Sequence, residues 1–233
     1  MTIYVPGKVV LKKESVAADS YYGNVSLLLH GDGTNGSTTI VDNSPSPKTV
    51  TANGNAQIST AQSKFGGASI AFDGNGDYLE CSTRILIAQS DDFTIETWSY
   101  QLNLSADYVL VSDSATNVQI FRLNFGTPGR VECGIYGSGY PGILFFAIAL
   151  SPSTWHHLAF SRSGGTIRLF VDGQEVGTST AVLPDFYIDT VGSFSGSSLF
   201  TNGYIDDLRI TKGVARYTAN FTPPTAPFPE VLG

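Results

Sequence analysis

The residues able to do chemistry in this chain stand mostly alone, and their spacing limits what each can do. Asp206 lies in residues 204–211. There, period-two alternation puts Tyr204, Asp206, Leu208 and Ile210 on one face and Ile205, Asp207, Arg209 and Thr211 on the other. The first face is apolar apart from Asp206, so its carboxylate is expected to point inward. Bare burial of an ionised carboxylate costs several kcal/mol, so Asp206 must accept hydrogen bonds, pair with a cation or bind a metal. His156 and His157 follow Trp155 directly. Neighbours on a strand point to opposite faces, so the two do not converge on one ion, and packing is their expected role. The string DGNGD at residues 73–77 opens like a calcium loop, but Tyr78 stands where the sharp turn needs Gly, and Arg84 where a bidentate Glu belongs. A tight hairpin turn is expected there instead. Tyr136 and Tyr140 flank a Gly-Ser-Gly stretch, and Phe194 and Phe200 lie in a Ser/Gly-rich loop. Aromatic faces beside small polar residues suit stacking against sugars, the alternative being that they merely cover a hairpin. No Ser/His/Asp or Cys/His constellation stands out, and no glycine-rich phosphate loop precedes a helix, so a non-enzyme is expected.

The elements that must position these residues are strands. Alternating or apolar runs recur at 25–30, 65–72, 77–81, 93–101, 108–113, 119–125, 130–135, 142–150, 155–162, 166–171, 175–179, 187–192 and 204–211. Two further short strands are expected around Asn53-Gly54, and 166–171 joins 175–179 across Asp172-Gly173; both dipeptides are hairpin signals. No stretch of a dozen residues carries a capped helical period. The fold class is therefore all-β, a two-sheet antiparallel sandwich. Cys81 and Cys133 each alternate with apolar residues and read as buried free thiols, with a disulfide or ligand role as the alternative. In residues 143–150, Ile143, Phe145, Ala147 and Ala149 share one face and Leu144, Phe146, Ile148 and Leu150 the other. Both faces want cover, from another segment or a neighbouring subunit.

Four strings in order, DFTIETW at 92–98, STWHHLAFSR at 153–162, IRLFVDGQEVG at 167–177 and GYIDDLRI at 203–210, resemble landmarks of laminin-G-like domains of the concanavalin A-like superfamily. A short turn with Arg216 and a tail with Pro223, Pro224, Pro227 and Pro229 complete the likeness, which spans residues 25–229. The resemblance implies a concanavalin A-like jelly roll. It also implies a structural calcium ion between the first and last strands, for which Asp32 and Asp206 are the candidate ligands. Glucanases on this fold carry an E-x-D-x-x-E strand, whereas the matching stretch TIETWSYQ has only Glu96. The closing segment is similar to copies in bacteriophage structural proteins, which implies a virion protein.

Charged residues make up 14% of the chain, against a usual share of about 25%, and the net charge is −7. That balance speaks against nucleic acid and against anionic membrane surfaces. Residues 1–22 hold Lys8, Lys12 and Lys13 and are expected to form an arm, residues 23–229 the sandwich and residues 230–233 a tail. The amino terminus lacks a signal-like apolar core, so synthesis in a host cytoplasm and residence in the virion are expected. The combined expectation is a non-enzymatic virion surface protein of a tail, fibre or head decoration, used for host-glycan adhesion or reinforcement. It would be a homo-oligomer in the particle, contacting other virion proteins through the arm and residues 143–150. The alternatives are a carbohydrate-binding module of a glycan-active enzyme and a bacterial surface adhesin.

Overall fold

The structure, a computed structural model, describes residues 18–115, 118–123, 130–136, 142–146 and 150–231. Among them are sixteen strands, in two antiparallel sheets, and one 3-10 turn at Tyr22–Asn24. The first sheet runs in the order β14 (Gln174–Ser179), β13 (Thr166–Val171), β12 (Trp155–Ser163), β7 (Phe93–Gln101), β16 (Asn202–Lys212), β5 (Ser69–Asp73) and β4 (Gln57–Ser59). Strand β1 (Val25–Leu29) pairs with the second half of β16, whose first half pairs with β5. The second sheet runs β11 (Gly142–Phe146), β10 (Val131–Tyr136), β9 (Val118–Leu123), β8 (Tyr108–Asp113), β15 (Phe186–Val191), β6 (Tyr78–Ile87), β3 (Val50–Asn53) and β2 (Thr39–Ile40). The all-β sandwich expected from the alternation is what forms.

The core lies between the sheets, because most strands turn their alternate, apolar residues that way. Phe93 and Phe160 of the first sheet, 5.1 Å apart, meet Phe186 and Phe121 of the second edge to face, with ring centroids 5.6 and 6.2 Å apart. All four are fully buried, and each contributes about 1.5–3 kcal/mol through the area it removes from water.

Strand β16 departs from simple alternation. Its register against β7 shifts between Asp206 and Arg209, and Asp207 takes a left-handed φ of 50°. One extra residue in a strand reverses the parity beyond it. Ile205, Leu208 and Ile210 therefore face the core, while Tyr204, Asp206 and Arg209 lie on the outer face. The expected grouping of Asp206 with Leu208 and Ile210 is thus corrected: the bulge at Asp207 separates them.

Two turns read as hairpins are instead corners between sheets. Strand β3 belongs to the second sheet and β4 to the first, while β5 belongs to the first and β6 to the second. The buried Asp77 carboxylate ties the corners together by accepting the backbone N–H groups of Asp73 and Asn55. Gly54 packs so closely here that a Cβ would stand 2.4 Å from Asp77 Oδ1. The hairpin β13–β14 forms as expected. Asp172 and Gly173 both have positive φ, the geometry of a type I′ turn. Gly173 also lets the tail approach, since a Cβ would lie 2.0 Å from the Phe221 carbonyl oxygen.

Strand β11 confirms an extended segment at 142–146, paired with β10 at the edge of the second sheet. The expectation of two apolar faces there, and the Cys133 thiol, lie outside the described side chains. Cys81 is buried and free, and burial pushes its thiol up to about 12. No helix among the described residues is long and apolar enough to cross a membrane.

Candidate functional site

Most of the first sheet's outer face is closed by the chain itself. Glu96 on β7 is fully buried, and its Oε1 accepts two hydrogen bonds from the Arg209 guanidinium, at 2.9 and 2.7 Å. Its Oε2 accepts the Tyr217 hydroxyl at 2.7 Å and lies 3.3 Å from His157 Nε2. Burial alone would raise the Glu96 pKa, but the Arg209 charge and the surrounding donors outweigh it and hold the group at about 2. Asp19 extends the network to Arg209 at 3.3 Å and to Arg216 at 3.0 and 2.7 Å. Above it the tail folds back: Tyr217 stacks on Phe221 at 3.6 Å, Phe221 meets Phe170 at 5.3 Å, and Arg209 lies 3.7 Å from the Phe228 ring centre. With both oxygens engaged under this cover, Glu96 fastens the tail and offers no face to a substrate. His156 turns away to Asp172, 2.7 Å from Nδ1, so the two histidines do not converge.

The candidate metal ligands come near each other without forming a cage. Asp206 Oδ2 accepts the backbone N–H groups of Lys64 at 2.7 Å and Phe65 at 3.1 Å. Asp32 is exposed and lies against Gly66 in the same turn. Burial pushes the Asp206 carboxyl up to about 7; the two backbone donors oppose this, and the charges of Asp207 and Asp32 add to it. Calcium takes six to eight oxygens. No group of three or more His, Cys, Asp or Glu among the described residues is arranged to hold a metal. Asp207 bonds His30 through Oδ1 and takes the Phe228 N–H on Oδ2 at 2.9 Å. Glu230 lies 3.1 Å from the other nitrogen of His30. These partners raise the His30 pKa against the opposing effect of burial. On the outer face of the second sheet, Arg84 is held by Asp113 at 2.9 and 2.6 Å under the Tyr187 ring, so its charge is matched within the protein.

One open cleft lies at an end of the sandwich, where the loops 74–77, 102–107 and 192–201 meet. A cleft of about 490 Å³ there is lined by Phe200, Asn202, Asn103, Ser105, Asp107 and Tyr108, among others. Its walls are braced. Asn103 Oδ1 accepts the Ser105 N–H and hydroxyl and the Tyr108 hydroxyl, at 2.7–3.1 Å. Val109 N–H donates to the Leu199 carbonyl and Leu102 N–H to the Asn202 carbonyl, both at 3.0 Å. Of the four aromatic residues singled out in the sequence, Phe200 lines this cleft. Phe194 instead closes its own loop in a bridge with Ser198. Tyr136 ends strand β10 with its side chain outside the description, and Tyr140 lies outside the described residues. A second cleft of about 500 Å³ along β2 and β3 has no aromatic side chain in its lining.

Beside the rim, Tyr204, Tyr100 and Trp155 are direct cross-strand neighbours on β16, β7 and β12. Their ring centroids are 5.8 and 5.4 Å apart, and all three are half-buried. Sequence reading missed this row, because only the register between three strands distant in sequence brings it together. The alternation of Tyr204 with Asn202 and of Tyr100 with Trp98 was the sole local signal.

A family model described as the concanavalin A-like lectin/glucanases superfamily, of laminin G type, matches residues 73–216. The chain belongs to this superfamily. As a concanavalin A-like domain it also aligns with solved structures. Domain 4 of an extracellular arabinanase from Geobacillus stearothermophilus, solved with arabinotriose, matches at 17% identity and a TM-score of 0.60. The match covers 82% of this chain and 94% of that domain. Botulinum neurotoxin type C, described as dependent on two ganglioside molecules for cell entry, matches at 13% identity and 0.56, over 82% of this chain and 48% of that one. A Trypanosoma rangeli sialidase mutant matches at 11% and 0.51, over 88% and 32%. At these identities the likeness is one of fold. No curated protein sequence matches the chain.

Proposed function

We propose that this concanavalin A-like domain is a non-catalytic glycan-binding module, carried on the surface of a bacteriophage particle and used for adhesion to the host. The observation that carries the glycan reading is the braced cleft, whose lining includes Phe200, Asn103 and Asn202. A ring face stacks on the C–H side of a sugar while amides bond its hydroxyls, and a preformed cleft avoids ordering costs. The internal engagement of Glu96 supports a module without hydrolytic chemistry. The phage setting is supported by the resemblance of the closing segment. Of the arm expected at residues 1–22, the structure describes 18–22, where Asp19 is fixed to the chain's own Arg209 and Arg216 while Tyr21 stays exposed to a partner. Edge strand β11 is the second proposed contact, through residues 143–150.

Glycan-array binding tests the first part. The wild-type chain is expected to bind, and Phe200→Ala to weaken binding about tenfold without lowering the melting temperature. A wild-type chain silent on the array overturns it. Co-purification of the chain with phage particles through a density gradient tests the setting. A chain absent from the particles favours the second reading, an accessory module of a glycan-active enzyme, to which the alignment with nearly all of the arabinanase domain lends support.

A further inference from the structure

We propose that the glycan site continues beyond the Phe200 cleft, over Asn202 and onto the Tyr204–Tyr100–Trp155 row, so that the module binds the interior of extended, neutral polysaccharide chains. This rests on the glycan reading above and extends it by a second subsite and a ligand class.

Continuity is the first argument. Asn202 lines the cleft, and Tyr204, two residues on along β16, lies on the same outer face. Tyr204 is directly opposite Tyr100, and Tyr100 is directly opposite Trp155. The path from Asn202 to Trp155 therefore crosses three neighbouring strands on one face of the sheet. Each step between rings, 5.8 and then 5.4 Å, is comparable to one sugar unit of an extended chain.

The cover on this face supplies the second argument. In the next row down, Trp98 is 5% exposed, lying beneath Lys64 (Nζ 3.7 Å from the ring centre) and edge-on to Phe65. Further rows hold Glu96, Arg209 and Phe170, closed by Tyr217, Phe221 and Phe228. The same sheet thus shields its outward aromatics in every row but the one adjoining the cleft, where three rings remain half-buried.

Charge gives the ligand class. The cleft lining contains one carboxylate, Asp107, and no cation. The Lys64 ammonium, on the row's flank, is seated on Trp98. A sialic or uronic acid would bring its carboxylate to Asp107 with no cation to receive it. A neutral chain presents uncharged polar groups for Asn103 and Asn202 and C–H faces for the rings.

Calorimetric titration with di- and hexasaccharide fragments of arabinan, xylan, β-glucan and chitin tests this, with sialyllactose as the anionic control. The wild-type chain is expected to bind the hexasaccharide of at least one neutral series about tenfold or more tightly than its disaccharide, and not to bind sialyllactose. Trp155→Ala is expected to bring the hexasaccharide down to the disaccharide level and leave the disaccharide unchanged. Trp155→Phe, which keeps a ring against Tyr100, retains most of the difference and controls for folding. Phe200→Ala weakens both lengths. Equal affinity for the two lengths, a Trp155→Ala variant with wild-type hexasaccharide binding, or a preference for sialyllactose each overturns the proposal while leaving the glycan module standing. A wild-type chain that binds no fragment overturns both.

Discussion

Asp206 and Glu96 lie on the same face of one sheet, both buried, and their carboxyl groups are driven in opposite directions. Glu96 has a guanidinium, a hydroxyl and a histidine around it, and is held at about 2. Asp206 has two backbone N–H donors and no cation among its hydrogen bonds, and is raised to about 7. Between its ordinary value near 3.8 and about 7, the folded protein binds the Asp206 proton more tightly than the unfolded chain does. Stability attributable to this group therefore falls as pH rises through that window, by an upper bound on the order of 4 kcal/mol. Asp206→Asn keeps an oxygen for both backbone donors and removes the charge. Urea unfolding at pH 5 and pH 8 is expected to show the variant losing less stability between the two than the wild type; an equal loss in both refutes the assignment. Glu96 works the other way: its contribution is complete above its ordinary value near 4.5 and is lost as pH falls towards 2. Glu96→Gln keeps an oxygen for Arg209 but removes one of its two counter-charges and the acceptor of the Tyr217 hydroxyl, and is expected to cost about 3–5 kcal/mol by chemical denaturation. Calcium added to a chelated sample is expected to leave the melting temperature unchanged, whereas a rise would restore the metal reading of Asp32 and Asp206.

At the scale of elements, β16 governs the arrangement, and its bulge decides which side chains reach which side. Ile205, Leu208 and Ile210 could not all face the core if alternation ran unbroken through Asp207. The tail depends on that bulge, because Asp207 receives the Phe228 N–H while Phe228 packs on Val25 and Leu28. Phe228 is 4% exposed, and Phe228→Ala is expected to cost about 3–5 kcal/mol in urea unfolding. A loss below about 1 kcal/mol would show that the tail is not part of the core. The strands themselves were legible, since apolar alternation and the Asp172-Gly173 turn are local properties. The parity of β16 was not, because an inserted residue leaves the composition of a strand unchanged. Nor were the corners at residues 54 and 73–77: a glycine turn looks the same in sequence whether its strands pair or part between sheets. Phe200 was legible as a loop aromatic, while the row beside it depended on a register that no single segment carries.

Taken as a whole, the molecule builds its two ends differently. The end near Phe200 gathers loops into a braced cleft, and the half of β16 remote from it receives the residues before β1 and the closing tail. The backbone N–H of Asp19 bonds the carbonyl of Val231 at 2.8 Å, so the two described extremities of the chain meet at one place. A carrier joined there on either side would hold the domain like a bead on a single knot. Tension along the carrier would load the Asp19–Val231 junction before it reached the sheets, and the Phe200 end would stay turned outward whichever side the join was made.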